Sequence, residues 1–145
     1  MEQVHATCIA IDGAGILLRG PPGSGKSDLA LRLIDLGGRL VADDRADLRL
    51  AEGLVVAAPP PALAGLIEAR GLGILRIGAL SEAAIVLVVD LINTGLVERL
   101  PARKTVKIPG VKLPSVRIAP FEAAAVAKVR LAVREATRDI MRTDD

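Results

Sequence analysis

Short apolar runs, separated by glycine, proline and aspartate, recur along the whole chain. This pattern is typical of buried or half-buried strands. The clearest run, residues 84–91 (AIVLVVDL), predicts a buried strand. Residues 4–11 and 16–18 predict two strands joined by a hairpin turn at Asp12-Gly13-Ala14-Gly15. Further strands are predicted at 39–42, 47–50, 54–57, 105–108 and 115–118, with turns at Glu52-Gly53 and Pro109-Gly110.

Two segments carry apolar residues at the three-to-four spacing of a helix face. Residues 27–36 predict one helix, closed by Gly37-Gly38. Pro120 is predicted to open a second helix that runs from Phe121 to about Met141. The run 59–61 (PPP) predicts a stiff connection, and residues 63–69 a short helical segment or a turn. The tail 143–145 is expected to fray.

Composition narrows the class of protein. The 145 residues fit one domain, 1–145, and 51% are hydrophobic with Phe121 as the single aromatic residue. An aliphatic core suits buried strands covered by helices, and the lack of aromatics argues against nucleic-acid binding. The lone Cys8 gives neither a disulfide nor a metal-ligand pair. Without a signal peptide or a membrane-length apolar run, a cytoplasmic protein with no membrane association is expected.

The segment 20–27 reads GPPGSGKS and matches the phosphate-binding pattern G-x-x-x-x-G-K-[ST] between a predicted strand and a predicted helix. Its backbone amides would surround a phosphate chain, Lys26 would contact the terminal phosphates, and the Ser27 hydroxyl would bind Mg²⁺. A surface turn that feeds a helix is the alternative explanation. The candidate nucleotide-binding residues are Gly20, Pro21, Pro22, Gly23, Ser24, Gly25, Lys26 and Ser27.

Acidic residues follow in two places. Asp43 and Asp44 end the strand after the loop's helix, where one carboxylate could hold Mg²⁺ and the other could accept a proton. A helix cap or a solvated turn is the alternative. Glu68 and Arg70 precede Gly71 and Gly73, which suits either a loop that closes on a charged ligand or an ordinary glycine-rich turn.

Three segments together resemble the catalytic domain of HPr kinase/phosphorylase, the bifunctional enzyme that acts on a serine of the phosphocarrier protein HPr. They are His5 with the apolar run and turn after it, the loop GPPGSGKS with residues 39–45 (RLVADDR), and residues 68–74 (EARGLGI). The resemblance implies an α/β phosphate-loop core similar to phosphoenolpyruvate carboxykinase, with a mixed β-sheet and flanking helices. It also implies a short form that lacks the family's N-terminal domain.

The resemblance further implies ATP and Mg²⁺ as cofactors, an HPr-like phosphocarrier as the protein substrate, and a homo-oligomer, commonly a hexamer. Lys26 would be catalytic, and the proton acceptor would be Asp44 or, second, Asp43. Ser27 and Glu68 would bind Mg²⁺, and residues 67–76 would form a catalytic loop. The resemblance also assigns His5 and Arg99 to the active site.

Two departures from the family qualify these expectations. Pro21-Pro22 replaces the usual acidic opening of the loop, and the family's Pro-Val-Arg-Pro-Gly-Arg-Asn stretch, linked to dephosphorylation, is absent. Residues 115–122 stand there instead, and Arg117 is the one arginine that could substitute. The kinase direction is therefore the safer expectation. A small-molecule kinase and a nucleotide sensor without transfer activity are the alternatives.

Overall fold

The structure, a computed structural model, describes residues 2–143. Asp144 and Asp145, from the tail predicted to fray, lie outside the described residues. The strands are β1 (Glu2–Val4), β2 (Ala6–Ile11), β3 (Ala14–Arg19), β4 (Arg39–Ala42), β5 (Ala46–Ala51), β6 (Leu54–Ala58), β7 (Leu66–Ala69), β8 (Gly73–Arg76), β9 (Ala83–Leu91), β10 (Lys104–Lys107) and β11 (Lys112–Ile118). The helices are α1 (Lys26–Asp35) and α2 (Ala125–Ala136), with 3-10 turns at Pro61–Leu63 and Thr94–Leu96.

Strand β9, the run predicted to be buried, is the centre of a nine-stranded mixed sheet. One of its edges pairs in parallel with β3. Its other edge pairs antiparallel with β6 at its start and parallel with β11 at its end. The remaining order is β1-β5-β6 on one side and β3-β2-β4 on the other, and β10 pairs with β11. The carboxyl ends of the parallel strands β3, β9 and β11 therefore meet at one edge of the sheet, where ligands bind in α/β proteins.

The core lies on both faces of this sheet. Both helices pack on one face, where Leu29 and Leu33 of α1 and Val129 of α2 meet Ile9 and Ile16 of the strands. The apolar cluster on the opposite face draws on strands and loops alone and includes Cys8, Leu17, Val41, Leu48 and Val55. The α/β prediction with a mixed sheet is confirmed, and the two helices share one face. No helix within residues 2–143 is long and apolar enough to cross a membrane.

The turns predicted beside the first strands are present. Residues Asp12 (φ 49°) and Gly13 (φ 81°) both adopt the left-handed conformation between β2 and β3, as a two-residue hairpin turn requires. Helix α1 ends as predicted, because Gly37 N–H donates to the Ile34 carbonyl (3.0 Å) and Gly38 N–H to the Leu33 carbonyl (2.9 Å).

The strand predicted over residues 4–11 is two strands. The strand is interrupted at His5, because β1 pairs with β5 whereas β2 pairs with β3 and β4. The residues before and after His5 therefore pair with different strands of the sheet.

The helical alternative for residues 63–69 is wrong in its second half. Residues 66–69 form β7, which pairs with β8 as a separate hairpin. Ile67 and Ala69 are buried while Glu68 between them is exposed, which is the period of a strand.

The last helix is shorter than predicted. It starts at Ala125, not at Phe121, because the preceding residues form turns in which Glu122 N–H donates to the Ala119 carbonyl (3.3 Å). It ends at Ala136, because Arg138 adopts the left-handed conformation (φ 66°) and Asp139 N–H returns to the Arg134 carbonyl (2.8 Å).

Candidate active site

The loop GPPGSGKS connects β3 to α1 and turns its backbone inward. Gly23 (φ 80°) and Gly25 (φ 100°) both lie in the left-handed region. At Gly25 a Cβ atom would also come within 2.8 Å of the Phe121 Cζ atom, so both the backbone and the space require glycine. The amino terminus of α1 begins directly after Gly25. The loop therefore has the conformation and the dipole orientation of an anion-binding site.

Lys26 places its ammonium group against this loop. Its side chain is buried, and Nζ donates to the carbonyl oxygens of Gly20 (2.6 Å) and Pro21 (3.2 Å). Ser24 N–H donates to the same Pro21 carbonyl (3.0 Å), which tightens the turn. A positive charge thus lies against the backbone of the same segment that presents the amides.

Asp43 links the loop to the end of β4. Its carboxylate is buried, and Oδ1 accepts hydrogen bonds from the hydroxyls of Ser27 (2.8 Å) and Thr7 (3.1 Å). Its Oδ2 accepts from the backbone N–H of Glu68 (3.2 Å). Three donors from three separate elements therefore fix the orientation of one carboxylate.

The neighbouring Asp44 has a different environment. Its side chain is exposed and its backbone is left-handed (φ 68°), a conformation that aspartate tolerates better than most residues. Its backbone N–H donates to Thr7 Oγ1 (3.1 Å), the same hydroxyl that donates to Asp43. Thr7 thereby holds the adjacent acids in a fixed relation, one turned inward and the other toward solvent.

A cavity of about 480 Å³ unites these groups. Its charged and hydroxyl-bearing lining residues are Lys26, Ser27, Asp28, Asp43, Asp44, Glu68 and Arg70. The predicted loop, acidic pair and Glu68 segment therefore meet at one site, although their catalytic roles stay predictions. The segment expected to be a catalytic loop is the β7–β8 hairpin, whose buried Ile67 anchors the exposed Glu68.

Of the predicted nucleotide-binding residues, Gly20, Pro21 and Ser24 do not line this cavity, and of the predicted catalytic residues, His5 and Arg99 do not. His5 is exposed at the break between β1 and β2. Arg99 is exposed and lines a separate cavity of about 330 Å³ beside β11 and α2, together with Arg117. The active-site roles of His5 and Arg99 stay predictions, and Arg70 is the arginine on the cavity wall.

Sequence reasoning missed Thr7 and Phe121. Thr7 is fully buried in β2 among alanine, cysteine and isoleucine, and a lone hydroxyl in such a strand was the available signal. Phe121 is the single aromatic residue and is predicted as the start of the last helix, with no role in the site, yet it lies against the phosphate loop.

The oxygen donors fit Mg²⁺. The Ser27 hydroxyl and the Asp43 carboxylate are in direct contact, and both are hard oxygen ligands. Within residues 2–143, no three His, Cys, Asp or Glu side chains are grouped as a metal site. A Mg²⁺ ion here would therefore take most of its ligands from phosphate oxygens and water, as Mg²⁺ commonly does in phosphoryl-transfer sites.

Known proteins are similar to this chain in both sequence and fold. Residues 1–142 match the family model described as HPr Serine kinase C-terminal domain. The HPr kinase/phosphorylase of Clostridium tetani is 40% identical over 98 residues, 68% of this chain and 32% of that protein. That of Lacticaseibacillus casei is 44% identical over 77 residues, 52% of this chain and 24% of that protein. The matched stretches thus span about a third or less of these relatives.

A solved structure, the Hpr(Ser) kinase/phosphatase from Coxiella burnetii, superposes with a TM-score of 0.84 at 25% identity. The superposition covers 96% of this chain and 98% of that one. With the family match over residues 1–142, the chain belongs to the HPr serine kinase C-terminal domain family.

Proposed function

We propose that residues 1–145 form a single catalytic domain that transfers the γ-phosphoryl group of ATP to a serine of HPr or a close relative of HPr. The observation that carries the proposal is the 2.8 Å hydrogen bond from Ser27 Oγ to Asp43 Oδ1, which joins the phosphate loop to the acidic pair. Family membership supports the same reaction.

Different residues of the site bind the phosphate chain and accept the proton. The amides of residues 20–27 and the Lys26 ammonium bind the phosphate chain and stabilise charge on the transferring group. The Asp44 carboxylate, exposed on the cavity wall, accepts the proton of the serine hydroxyl. The serine oxygen forms a bond to the γ-phosphorus as the bond to the bridging oxygen breaks, so ADP leaves with its negative charge.

Asp43 and Ser27 have a positioning and metal-binding role in this proposal. Mg²⁺, held by Ser27 with Asp43 or Glu68, would neutralise phosphate charge. Asp43 is buried and both of its carboxylate oxygens already accept hydrogen bonds, whereas the Asp44 carboxylate is exposed on the cavity wall. Asp44 is therefore the stronger candidate for the base.

The acceptor side is a protein, so HPr must dock over the cavity. The β7–β8 hairpin borders it and exposes Leu72 and Ile74, an apolar surface beside Glu68 and Arg70 that suits such contact. Assembly as a homo-oligomer, with a hexamer as the expected number, is part of the proposal.

Incubation of the purified chain with γ-labelled ATP, Mg²⁺ and purified HPr tests the proposal. We expect label on one HPr serine, with no label when Lys26→Ala replaces the wild type or when that serine is changed to alanine. ATP binding with no transfer to HPr would support a sensor instead, and label on a small molecule would support a metabolite kinase. Either result overturns the proposal.

The reverse reaction is expected to be slow. Phosphorolysis needs inorganic phosphate bound where the γ-phosphoryl group lies, and Arg117, the one arginine in residues 115–121, lines the cavity beside α2 instead. Phosphoserine-HPr with inorganic phosphate should release pyrophosphate at a small fraction of the forward rate. Equal rates would show that other residues bind the phosphate.

A further inference from the structure

Another cavity, of about 470 Å³, adjoins the cavity of about 480 Å³ at the carboxyl ends of β3, β9 and β11. Its walls come from the loop, from the end of β9 with the turn after it, and from residues 119–121 after β11. The lining residues of the first two are Pro21, Pro22, Gly23, Ser24, Leu91, Ile92, Asn93, Thr94 and Leu96. Pro22, Gly23 and Phe121 line both cavities, so the two lie next to each other at the phosphate loop.

Phe121 stands at the junction with its ring accessible. Its side chain is 69% exposed, although Cζ lies against the loop at Gly25. The backbone beside it is fixed, because the Arg32 guanidinium of α1 donates to the Pro120 carbonyl. Core packing therefore does not account for the position of this ring, whereas a flat ligand placed over it would.

The rest of the cavity has the mixed lining of a small-molecule site. Pro21, Pro22 and Leu96 supply rigid apolar walls, and Asn93 and Thr94 bring side-chain donors and acceptors on the turn after β9. The turn is held by hydrogen bonds from Leu96 N–H to the Asn93 carbonyl (2.9 Å) and from Val97 N–H to the Thr94 carbonyl (3.2 Å).

We infer that this cavity holds the nucleoside half of the triphosphate, with the base stacked on Phe121 and the ribose or base edge bonded by Asn93 and Thr94. The inference rests on the proposed function, since it presumes a triphosphate in the loop. It also gives a role to Pro21-Pro22, the unusual opening of the loop, as an apolar part of the same cavity lining.

Calorimetric titration with ATP and with inorganic tripolyphosphate tests this. Phe121→Leu keeps an apolar side chain against Gly25 but removes the aromatic face. It should weaken ATP binding roughly 5- to 100-fold, the range of base–aromatic stacking, and leave tripolyphosphate binding within about twofold. Leu36→Ala, an exposed apolar residue at the far end of α1, is the matched control and should change neither.

A direct probe follows from the composition, because the chain contains no tryptophan and no tyrosine. In Phe121→Trp the single indole should change its fluorescence on adding ATP and not on adding tripolyphosphate. Unchanged ATP affinity in Phe121→Leu, or an equal loss for both ligands, would overturn the nucleoside site while leaving the phosphate loop intact. Failure of the wild type to bind either ligand would overturn the proposed function as well.

Discussion

Replacing Asp44 with asparagine isolates proton transfer from every other role of the site. The substitution keeps the size of the side chain, and asparagine tolerates the left-handed backbone (φ 68°). The hydrogen bond to Thr7 comes from the Asp44 backbone amide and survives. Since a general base contributes about 10²- to 10⁴-fold, kcat should fall by that factor, which corresponds to roughly 3–5 kcal/mol.

The matched variant is Asp43→Asn. The buried Asp43 carboxylate accepts from Ser27, Thr7 and the Glu68 amide, and an amide NH₂ would face at least one of these donors. An unsatisfied buried group costs about 1–3 kcal/mol, so Tm should fall by roughly 3–10 °C. Mg²⁺-dependent ATP binding should weaken as well.

Initial rates of HPr labelling, ATP titration and thermal denaturation on both variants give the comparison. Asp44→Asn should lose kcat with ATP affinity and Tm close to the wild type, whereas Asp43→Asn should lose all three. The reasoning is refuted if Asp44→Asn keeps kcat within about fivefold, well short of the expected range for a lost base.

Further predictions concern groups around the acids and in the core. Thr7→Val removes the hydroxyl that forms hydrogen bonds with both acidic residues, so the free energy of unfolding in urea should fall by about 1–3 kcal/mol and kcat should fall as well. Thr7→Ser should restore both quantities, and a fully active Thr7→Val variant would contradict this role. Gly25 has φ 100° and lies against Phe121, so Gly25→Ala should weaken tripolyphosphate binding at least about tenfold by calorimetry. Gly37 is equally left-handed but faces open space, so Gly37→Ala should lower only the stability of the fold. Equal effects of the two variants on binding would contradict the loop geometry. Burial raises the pKa of the Cys8 thiol from 9.0 to about 12, so the unfolded chain loses this proton first and the Cys8 contribution to stability should be lost as pH rises from 9 toward 12. Native Cys8 should be alkylated at pH 9 only as fast as the chain unfolds, and rapid modification without denaturant would show that the thiol is accessible.

The parts of the site that follow local rules could be predicted from the sequence. The loop 20–27 carries its own spacing of glycines and lysine, and the Asp12-Gly13 turn carries its own left-handed conformation. Strand β9 could be predicted because its residues enter the core on both faces of the sheet, which leaves the apolar run 83–89 before Asp90.

The parts that depend on tertiary contacts could not be predicted from the sequence. Residues 66–69 are too short for either period to dominate, and their strand exists because β8 pairs with it and Ile67 packs with the helices. The role of Thr7 depends on β2 and β4 lying side by side, which no local pattern records. Arg99 matched the family by order along the chain, yet its segment leads toward α2.

A crystal structure of the chain with Mg²⁺ and a non-hydrolysable ATP analogue tests the central claim most directly. The account predicts the phosphate chain within residues 20–27, the metal at Ser27 and Asp43, and the γ-phosphate between Lys26 and the Asp44 carboxylate. A γ-phosphate that points away from the acidic pair, with Asp44 out of reach of any hydroxyl attacking in line, would contradict it.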